Sequence, residues 1–141
     1  MVSRHLSLRL HPDALERLDS EGRRSRSTRS DLVKSLIEEG LRMRQHPGIV
    51  FRAGPAGRRP ALAAGPDIWE VARVFRDPAD DDGDAVSRTA DLTGLEAGQV
   101  RTAMRYYAEY AAEIDEWIGR VDEEAERLEA AWLRERELLH R

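Results

Sequence analysis

Arginine is the residue type whose placement in this chain best suits chemistry with a charged partner. Four arginines stand at positions 9, 23, 24 and 26, and guanidinium groups bind phosphate oxygens and guanine edges bidentately. Residues 1–60 hold 13 basic against 7 acidic residues, a net charge of +6, whereas residues 61–141 hold 10 against 20, a net charge of −10. This asymmetry predicts a front that faces nucleic acid and an acidic rear. Two ordinary solvated surfaces are the alternative.

Other chemistries have little support in the sequence. There is no cysteine, and the four histidines stand in unrelated contexts. No phosphate-binding loop, nucleophile elbow or dinucleotide fingerprint is present. The acidic run at residues 80–84 fails as a calcium loop, because Gly83 at the sixth position puts Pro78 first and Thr89 twelfth. We therefore expect a binding protein rather than an enzyme, with no metal and no cofactor, and a solvated loop at residues 80–84.

Length and hydropathy indicate how many domains the chain forms and in which compartment it works. A chain of 141 residues suits one or two small domains. It has no apolar run of membrane-spanning length and no pattern of a secretory signal. The expectation is a soluble cytoplasmic protein with no membrane partner.

The N-terminal segment alternates polar and apolar residues, which is typical of a strand. One face carries Leu6, Leu8 and Leu10, and the other carries His5, Ser7 and Arg9. A first helix is predicted from Pro12 to Gly22, followed by a basic loop over residues 23–27. Thr28 and Asp31 form a capping-box pattern for a second helix. Its apolar stripe consists of Leu32, Val33, Leu36, Ile37 and Leu41.

A single short strand with two helices has too small a core and two unpaired edges. Pairing with the same strand of a second chain would satisfy both needs and create a two-stranded ribbon that fits the major groove of DNA. The residues quoted, from Arg4 to about Met43, resemble ribbon-helix-helix repressors of the Arc, MetJ and CopG type. The matching segments are HLSLRL, HPDALERL and STRSDLVKSLIEEGL.

The resemblance implies a homodimer that binds double-stranded operator DNA. Its groove-facing residues would be His5, Ser7 and Arg9, and the amides near Thr28, Arg29 and Ser30 would hold a phosphate, as a helix N-terminus can. The connection between the helices is longer and more basic than the family pattern. The arginines of this connection are Arg23, Arg24 and Arg26. They would add phosphate contacts, or the segment is simply a mobile loop. A ribbon that dimerises without touching DNA is the other interpretation.

The middle of the chain predicts a small helix-turn-helix-like domain. Residues 49–51 and 59–62 are candidate strands around the turn at residues 54–57, and Asp67 caps a helix. Ala90, Gly94 and Val100 have helix-turn-helix spacing. The second helix of that motif would expose Glu96, Gln99, Arg101, Thr102 and Arg105. A DNA-recognition helix and a three-helix core without DNA contact remain equally open.

Residues from about 46 to 117 also resemble a bacterial domain of unknown function, family 433. The carrying segments are HPGIVF, RRPALAAGPDIWEVARV and QVRTAMRYYAEYAAEID. The chain lacks the threonine-containing turn of the family pattern near Gly65-Pro66-Asp67. Members of that family resemble VapB-like antitoxins paired with PIN-like ribonucleases. The resemblance therefore implies a type II toxin–antitoxin system in which this chain neutralises a basic toxin protein and represses its own operon.

The C-terminal region contains no proline after residue 96 and predicts a long helix. Residues 114, 118, 121, 125, 128, 132, 135 and 139 alternate in steps of four and three, which is a heptad stripe. The stripe can fold back on the middle domain, pair with a second chain or bind a basic ribonuclease. For the last case the partner-binding residues would be Trp117, Ile118, Val121, Leu128 and Trp132.

Together these patterns predict a mainly α protein with a short N-terminal β-strand. The domains would be a ribbon-helix-helix unit at 1–45, a helix-turn-helix-like unit at 46–112 and an acidic amphipathic helix at 113–141. Two functions follow: a DNA-binding antitoxin that autoregulates its operon, or a stand-alone transcription factor using both the ribbon and the helix-turn-helix. A purely structural dimer is a third, weaker alternative.

Overall fold

The computed structural model describes residues 1–77 and 83–141, and this part of the chain is mainly helical with one two-stranded antiparallel sheet. Most of the acidic run at residues 80–84 thus lies outside the described residues. The chain divides into two compact units, Met1–Arg42 and Met43–Arg141. The elements in chain order are α1 Pro12–Ser25, α2 Arg29–Gln45, β1 Ile49–Arg52, β2 Arg59–Leu62, α3 Ile68–Arg76, α4 Ala85–Thr93, α5 Ala97–Glu109 and α6 Ala111–Leu139.

Residues 1–11 have no regular secondary structure in the single chain, so the predicted strand at residues 5–10 is not formed here. A strand is held by hydrogen bonds to a neighbouring strand. Residues 1–42 are all described and contain no other strand that could supply that edge. The alternating pattern is therefore exposed along its whole length.

Helix α1 begins at Pro12, as predicted, but it continues beyond Gly22 to Ser25. Gly22 is buried inside the helix, and a Cβ there would lie 3.2 Å from the carbonyl oxygen of Ser27. The glycine thus permits a close approach of the chain rather than ending the helix. The end comes at Arg26, which adopts the left-handed conformation with φ of 55°, and the amide of Ser27 donates to the carbonyl of Gly22 at 2.9 Å.

Helix α2 begins where the capping pattern predicted. The Thr28 hydroxyl accepts a hydrogen bond from the amide of Asp31 at 3.1 Å, which is one of the two bonds of a capping box. The helix ends at Gln45, shortly before Pro47 and Gly48. Leu32 is the only buried apolar side chain of the first unit.

The second unit opens with the predicted hairpin. Strands β1 and β2 pair antiparallel with Ile49 opposite Leu62 and Arg52 opposite Arg59. Gly54 and Gly57 exchange backbone hydrogen bonds of 3.1 and 3.0 Å across the turn. The hairpin places Ile49 and Leu62 in the core.

Helix α3 is fixed at its N-terminus by Asp67, as predicted. Asp67 and Glu70 form a reciprocal capping box, in which the Asp67 amide donates to the Glu70 carboxylate at 2.9 Å. The Asp67 carboxylate, which is buried, also accepts hydrogen bonds from Arg59 and from the indole of Trp69. One side chain therefore joins β2, α3 and the turn between them.

The core of the second unit lies among the hairpin, α3, α5 and the start of α6. Phe51, Leu95 and Met104 pack around its buried members, among other partly buried residues. Those buried members are Ile49, Leu62, Ile68, Val71, Ala72, Ala103, Tyr106, Ile114 and Ile118. Burial of this apolar surface is the main stabilising contribution available to the unit.

The C-terminal region is helical, as predicted, and it consists of two helices, α5 and α6. Tyr110, with φ of −117° and ψ of 32°, separates α5 from α6. The break turns α6 so that Ile114 and Ile118 reach the core. No proline or glycine marks this position, and Tyr106 before it and Ile114 after it are both buried in the core.

Helix α6 has a docked part and a free part. The carboxylate of Asp115 accepts hydrogen bonds from Arg76 at 2.8 Å and from the Tyr107 hydroxyl at 2.6 Å, and Asp122 pairs with Arg73. Every residue from Glu123 to the end of the chain is exposed. The docked part therefore ends at about Asp122.

Candidate nucleic-acid interface

The junction between α1 and α2 is built around one ion pair. The Arg29 guanidinium donates to both carboxylate oxygens of Asp19, at 2.9 and 2.7 Å. This hydrogen bonding, with its charge attraction, lowers the pKa of Asp19 and raises the pKa of Arg29. The pair is partly solvated, so its role is to fix the start of α2 against α1 rather than to add much stability.

The predicted phosphate site lies at this junction. The first amides of a helix have no intrahelical acceptor, and Thr28, Arg29 and Ser30 are exposed. The amide of Asp31 is already taken by Thr28. An anion at this end would therefore be held by the amides of residues 29 and 30 and by the helix dipole, while the Arg29 side chain is bound to Asp19.

The basic cluster is presented by a helix end rather than by a loop. Arg23 and Arg24 lie in the last turn of α1, and Arg26 is its left-handed C-cap residue. Arg24 pairs with Glu21 at 2.7 Å, in an exposed contact that water and salt screen. All three arginines are exposed, and the start of α2 follows within a few residues.

The predicted base-reading residues precede α1. His5, Ser7 and Arg9 are exposed, and so are the leucines that alternate with them. Leu6 is 68% and Leu8 55% exposed. In the single chain, therefore, neither the polar nor the apolar side chains of residues 5–10 are covered by another element.

The exposed leucines belong to a larger uncovered apolar surface of the first unit. Large apolar side chains of α2 are exposed as well, including Leu36 and Leu41. Soluble monomers rarely leave this much apolar surface open next to a single buried side chain. The exposed set is Leu6, Leu8, Leu10, Leu36, Ile37 and Leu41.

The helix-turn-helix spacing of the second unit corresponds to two real helices. Gly94 ends α4 in the left-handed conformation with φ of 72°, and Val100 is fully buried on α5. The Gln99 side chain is used in a cap, where it accepts from the amide of Glu96 at 2.9 Å. The Thr102 hydroxyl donates to the carbonyl of Gly98 at 3.0 Å.

Those bonds leave a smaller candidate surface on α5 than the sequence predicted. Gln99 and Thr102 are half-buried, whereas Arg101 and Arg105 are exposed. The two arginines lie one helical turn apart and therefore on one face. Glu96, also exposed, adds a negative charge at the start of the helix, which would oppose a phosphate.

The residues predicted to bind a protein partner fall into two groups. Ile118 is buried in the core, and Trp117 and Val121 are half-buried, with the Arg120 guanidinium 5.0 Å from the Trp117 ring. Leu128 and Trp132 are 63% and 54% exposed. Ile118 thus stabilises its own domain in this structure, and Leu128 and Trp132 remain available.

Two important ion pairs carried no local signal in the sequence. Asp19 and Arg29 stand ten positions apart in different helices, and Arg59 and Asp67 are separated by a turn. Neither spacing belongs to one helix face or one strand pair, so only the tertiary fold brings the partners together. A pair of opposite charges flanking a predicted helix start was the only available hint.

Two further properties concern only the described part of the chain. No helix there is both long and apolar enough to cross a lipid bilayer. No three histidine or acidic side chains in residues 1–77 and 83–141 are grouped so that they could hold a metal ion. In comparisons with known proteins, no family model matched the chain, and no match was found among the curated proteins or the solved structures.

Proposed function

We propose that the chain is a dimeric DNA-binding repressor in which two N-terminal segments pair as a ribbon and read operator DNA. The observation that carries this proposal is the uncovered apolar surface of the first unit, beside a cluster of exposed arginines. A second copy is the simplest cover, since an alternating segment can pair with itself and bury Leu6, Leu8 and Leu10 on one face.

The opposite face of such a ribbon would carry His5, Ser7 and Arg9 into the major groove. An arginine there can make two hydrogen bonds to a guanine edge. The amides that begin α2 would hold a backbone phosphate, and the arginines at the end of α1 would add charge next to it. This division of labour separates base reading from phosphate binding, so each can be tested alone.

The test is equilibrium binding of the purified chain to its own promoter and to an unrelated duplex of equal length. Arg9→Ala should cost about 1–3 kcal/mol on the promoter and little on the unrelated duplex. Replacement of Arg24 and Arg26 by alanine should weaken both complexes and flatten the dependence on salt by about one unit of slope per lost phosphate contact. Unchanged promoter binding in both variants would refute the ribbon.

We further propose that the repressor is the antitoxin of a toxin–antitoxin pair, with a basic PIN-like ribonuclease as its protein partner. The support is the free part of α6, where Leu128 and Trp132 are exposed among many glutamates. Tryptophans often dominate the affinity of an interface, and the acidic flanks would attract a basic active site.

Copurification with the product of the neighbouring gene tests the antitoxin proposal. Trp132→Ala should weaken that complex and leave promoter binding unchanged, because the tryptophan belongs to no part of the first unit. Ala130→Ser, at an exposed position of the same helix outside the heptad stripe, is the control. A toxin complex of unaltered affinity in Trp132→Ala would remove α6 as the inhibitory element.

A stand-alone transcription factor is the second candidate. The observation in its favour is the exposure of Arg101 and Arg105 on one face of α5, following the turn at Gly94. Replacing both arginines with alanine should then lower promoter affinity as strongly as the changes in α1 do. Unaltered affinity would leave α4 and α5 as a core unit without DNA contact.

A further inference from the structure

Helix α6 uses one heptad stripe in two different ways. Ile114 and Ile118 are buried in the domain core, whereas Leu128 and Trp132 are exposed to more than half of their surface. A large indole and a leucine in water favour association with another apolar surface. The exposed continuation of the stripe after Val121 consists of Ala125, Leu128, Trp132, Glu135 and Leu139.

We propose that residues 128–139 pair with the same residues of a second copy as an antiparallel two-helix coiled coil. The distribution of charge along the helix is the first reason. Residues 123–129 contain four glutamates and one arginine, a net charge of −3, whereas residues 134–141 contain three arginines and two glutamates, a net charge of +1. With Leu128 opposite Leu139, antiparallel pairing brings the end of the acidic segment, residues 126–129, beside residues 138–141 of the other copy, and parallel pairing places acid beside acid.

Glu135 is the second reason, because it occupies a position of the stripe itself. In a parallel pair in register, Glu135 would face its own copy between the helices, where two desolvated carboxylates repel. In an antiparallel pair, Leu128 can lie opposite Leu139 while Trp132 lies opposite Glu135. The carboxylate then meets an indole, whose N–H can donate a hydrogen bond to it.

The same alignment suits the residues that flank the stripe. Glu129 of one copy comes beside Arg136 of the other, and the twofold symmetry repeats this pair. In the single chain the Arg136 guanidinium lies 5.2 Å from the Trp132 ring, so it is already on the side of the stripe. Parallel pairing would instead bring Glu124 beside Glu129.

The docked half of α6 limits how far the second helix can extend. Val121 and Asp122 are half-buried, and Asp122 pairs with Arg73 of α3. With Leu128 opposite Leu139, Arg141 of the second copy lies beside Glu126, which is outside the docked part. An alignment one heptad longer would place the second helix against the residues that hold α6 to its own domain.

This inference does not rest on the ribbon. It assigns to a second copy the same face that the proposed toxin would use, so toxin binding would have to displace the second copy. The two ideas are distinguishable, because self-pairing is measured on the purified chain with neither DNA nor toxin present. A ribbon that fails leaves the tail result unchanged, and the reverse is also true.

Disulfide cross-linking of the full chain tests the orientation directly, because the protein has no cysteine of its own. Leu128→Cys and Leu139→Cys are prepared as separate variants, mixed and oxidised gently. The antiparallel alignment predicts about tenfold more mixed disulfide than either homodimer, since two copies of position 128 would lie about 16 Å apart along the helices. Ala130→Cys, on the outer face, is the control and should not cross-link.

A predominance of Leu128→Cys homodimers would show parallel pairing and overturn the proposal. The absence of cross-linking between any stripe positions would also overturn it and leave the face to a different protein. Charge reversal gives a second measurement that keeps the stripe intact. Glu129→Arg should weaken self-association by about fivefold, and Glu129→Arg combined with Arg136→Glu should restore it. Equal weakening in the single and the double variant would contradict the alignment.

Discussion

At the scale of single residues, the ion pair between Asp19 and Arg29 decides which positive groups at the start of α2 are available. The guanidinium is held at two points by the carboxylate, so the helix amides are left as the anion-binding groups. A neighbouring carboxylate also repels the phosphate that those amides would bind. If the proposed phosphate contact forms, Asp19 would therefore lower the affinity for DNA.

Asp19→Asn should remove this repulsion. The change removes one negative charge and frees Arg29, so promoter affinity should rise several-fold and the salt dependence should steepen by up to about one unit of slope. Glu16→Gln on the same helix is the control, because it removes an equal charge from an exposed site without a bond to Arg29. If the two variants raise affinity equally, the ion pair has no special role.

Tyr107 gives the second unit a defined response to alkaline pH. Burial, together with the hydrogen bond to Asp115, raises the pKa of Tyr107 above its usual value. Folding therefore favours the protonated phenol. The resulting stabilisation is complete below a pH of about 10, the pKa of an unfolded tyrosine, and is lost as the pH rises through the folded value.

Tyr107→Phe should be less stable than the wild type by about 1 kcal/mol at neutral pH, through loss of one hydrogen bond. The difference should shrink above pH 10, because only the wild type then loses stability through this phenol. Urea denaturation of both proteins at a series of pH values measures the difference in their free energies of unfolding. Subtraction cancels the titration of the groups that both proteins share. A difference independent of pH would contradict the contact between Tyr107 and Asp115.

At the scale of elements, local chemistry predicted some boundaries well and missed others. The hairpin and the start of α3 were predictable because the glycine turn and the Asp67 cap act within a few residues. Gly22 was misread as a helix end because its role is to admit Ser27, a contact made by the fold.

Some features of the candidate site were likewise predictable from the sequence, and others were not. The Thr28 cap and the exposure of the arginines were predictable from sequence. The bond between Asp19 and Arg29 was not, since it joins two helices. The heptad stripe was recognised, but periodicity does not tell which turns are covered, and the structure divides it near Val121.

The division of α6 predicts different outcomes for two truncations. Removing residues 123–141 should change the melting temperature little, because every residue in that range is exposed. Removing residues 112–141 takes Ile114 and Ile118 out of the core, and each such loss costs about 2–5 kcal/mol against a total stability of about 5–15 kcal/mol. Circular dichroism melts at low protein concentration compare the two. Similar melts would contradict the docked segment.

At the scale of the whole molecule, the two units differ in how far they can stand alone. Among its described residues, the second unit has a contiguous core of nine buried residues. The first unit buries one large apolar side chain, Leu32, and exposes many others. We therefore expect its stability to depend on the proposed association, and so on protein concentration.

Leu8→Asp should abolish association through the N-terminal segments, because it places a charge on the face that would be covered. Ser7→Asp makes the same change on the opposite face and should leave the dimer intact while weakening DNA binding. Sedimentation equilibrium measures the oligomeric state of both variants, in the full chain and after removal of residues 123–141. The shortened chain excludes association through α6. A well-folded Leu8→Asp dimer in the shortened chain would rule out the ribbon.

Helix α6 is continuous across its docked and free parts. The docked turns therefore act as the nucleus from which the exposed turns extend. An isolated segment as short as residues 123–139 would be marginally helical in water, because the first turn is costly to form. Here the turns held by Ile114 and Ile118 are already formed, and the free turns only propagate them. Amide exchange should quicken from Glu123 outward, and loosening the core should fray the distant stripe. By the same linkage, any protein that binds Trp132 should stabilise α6 and so slow the local unfolding of the second unit.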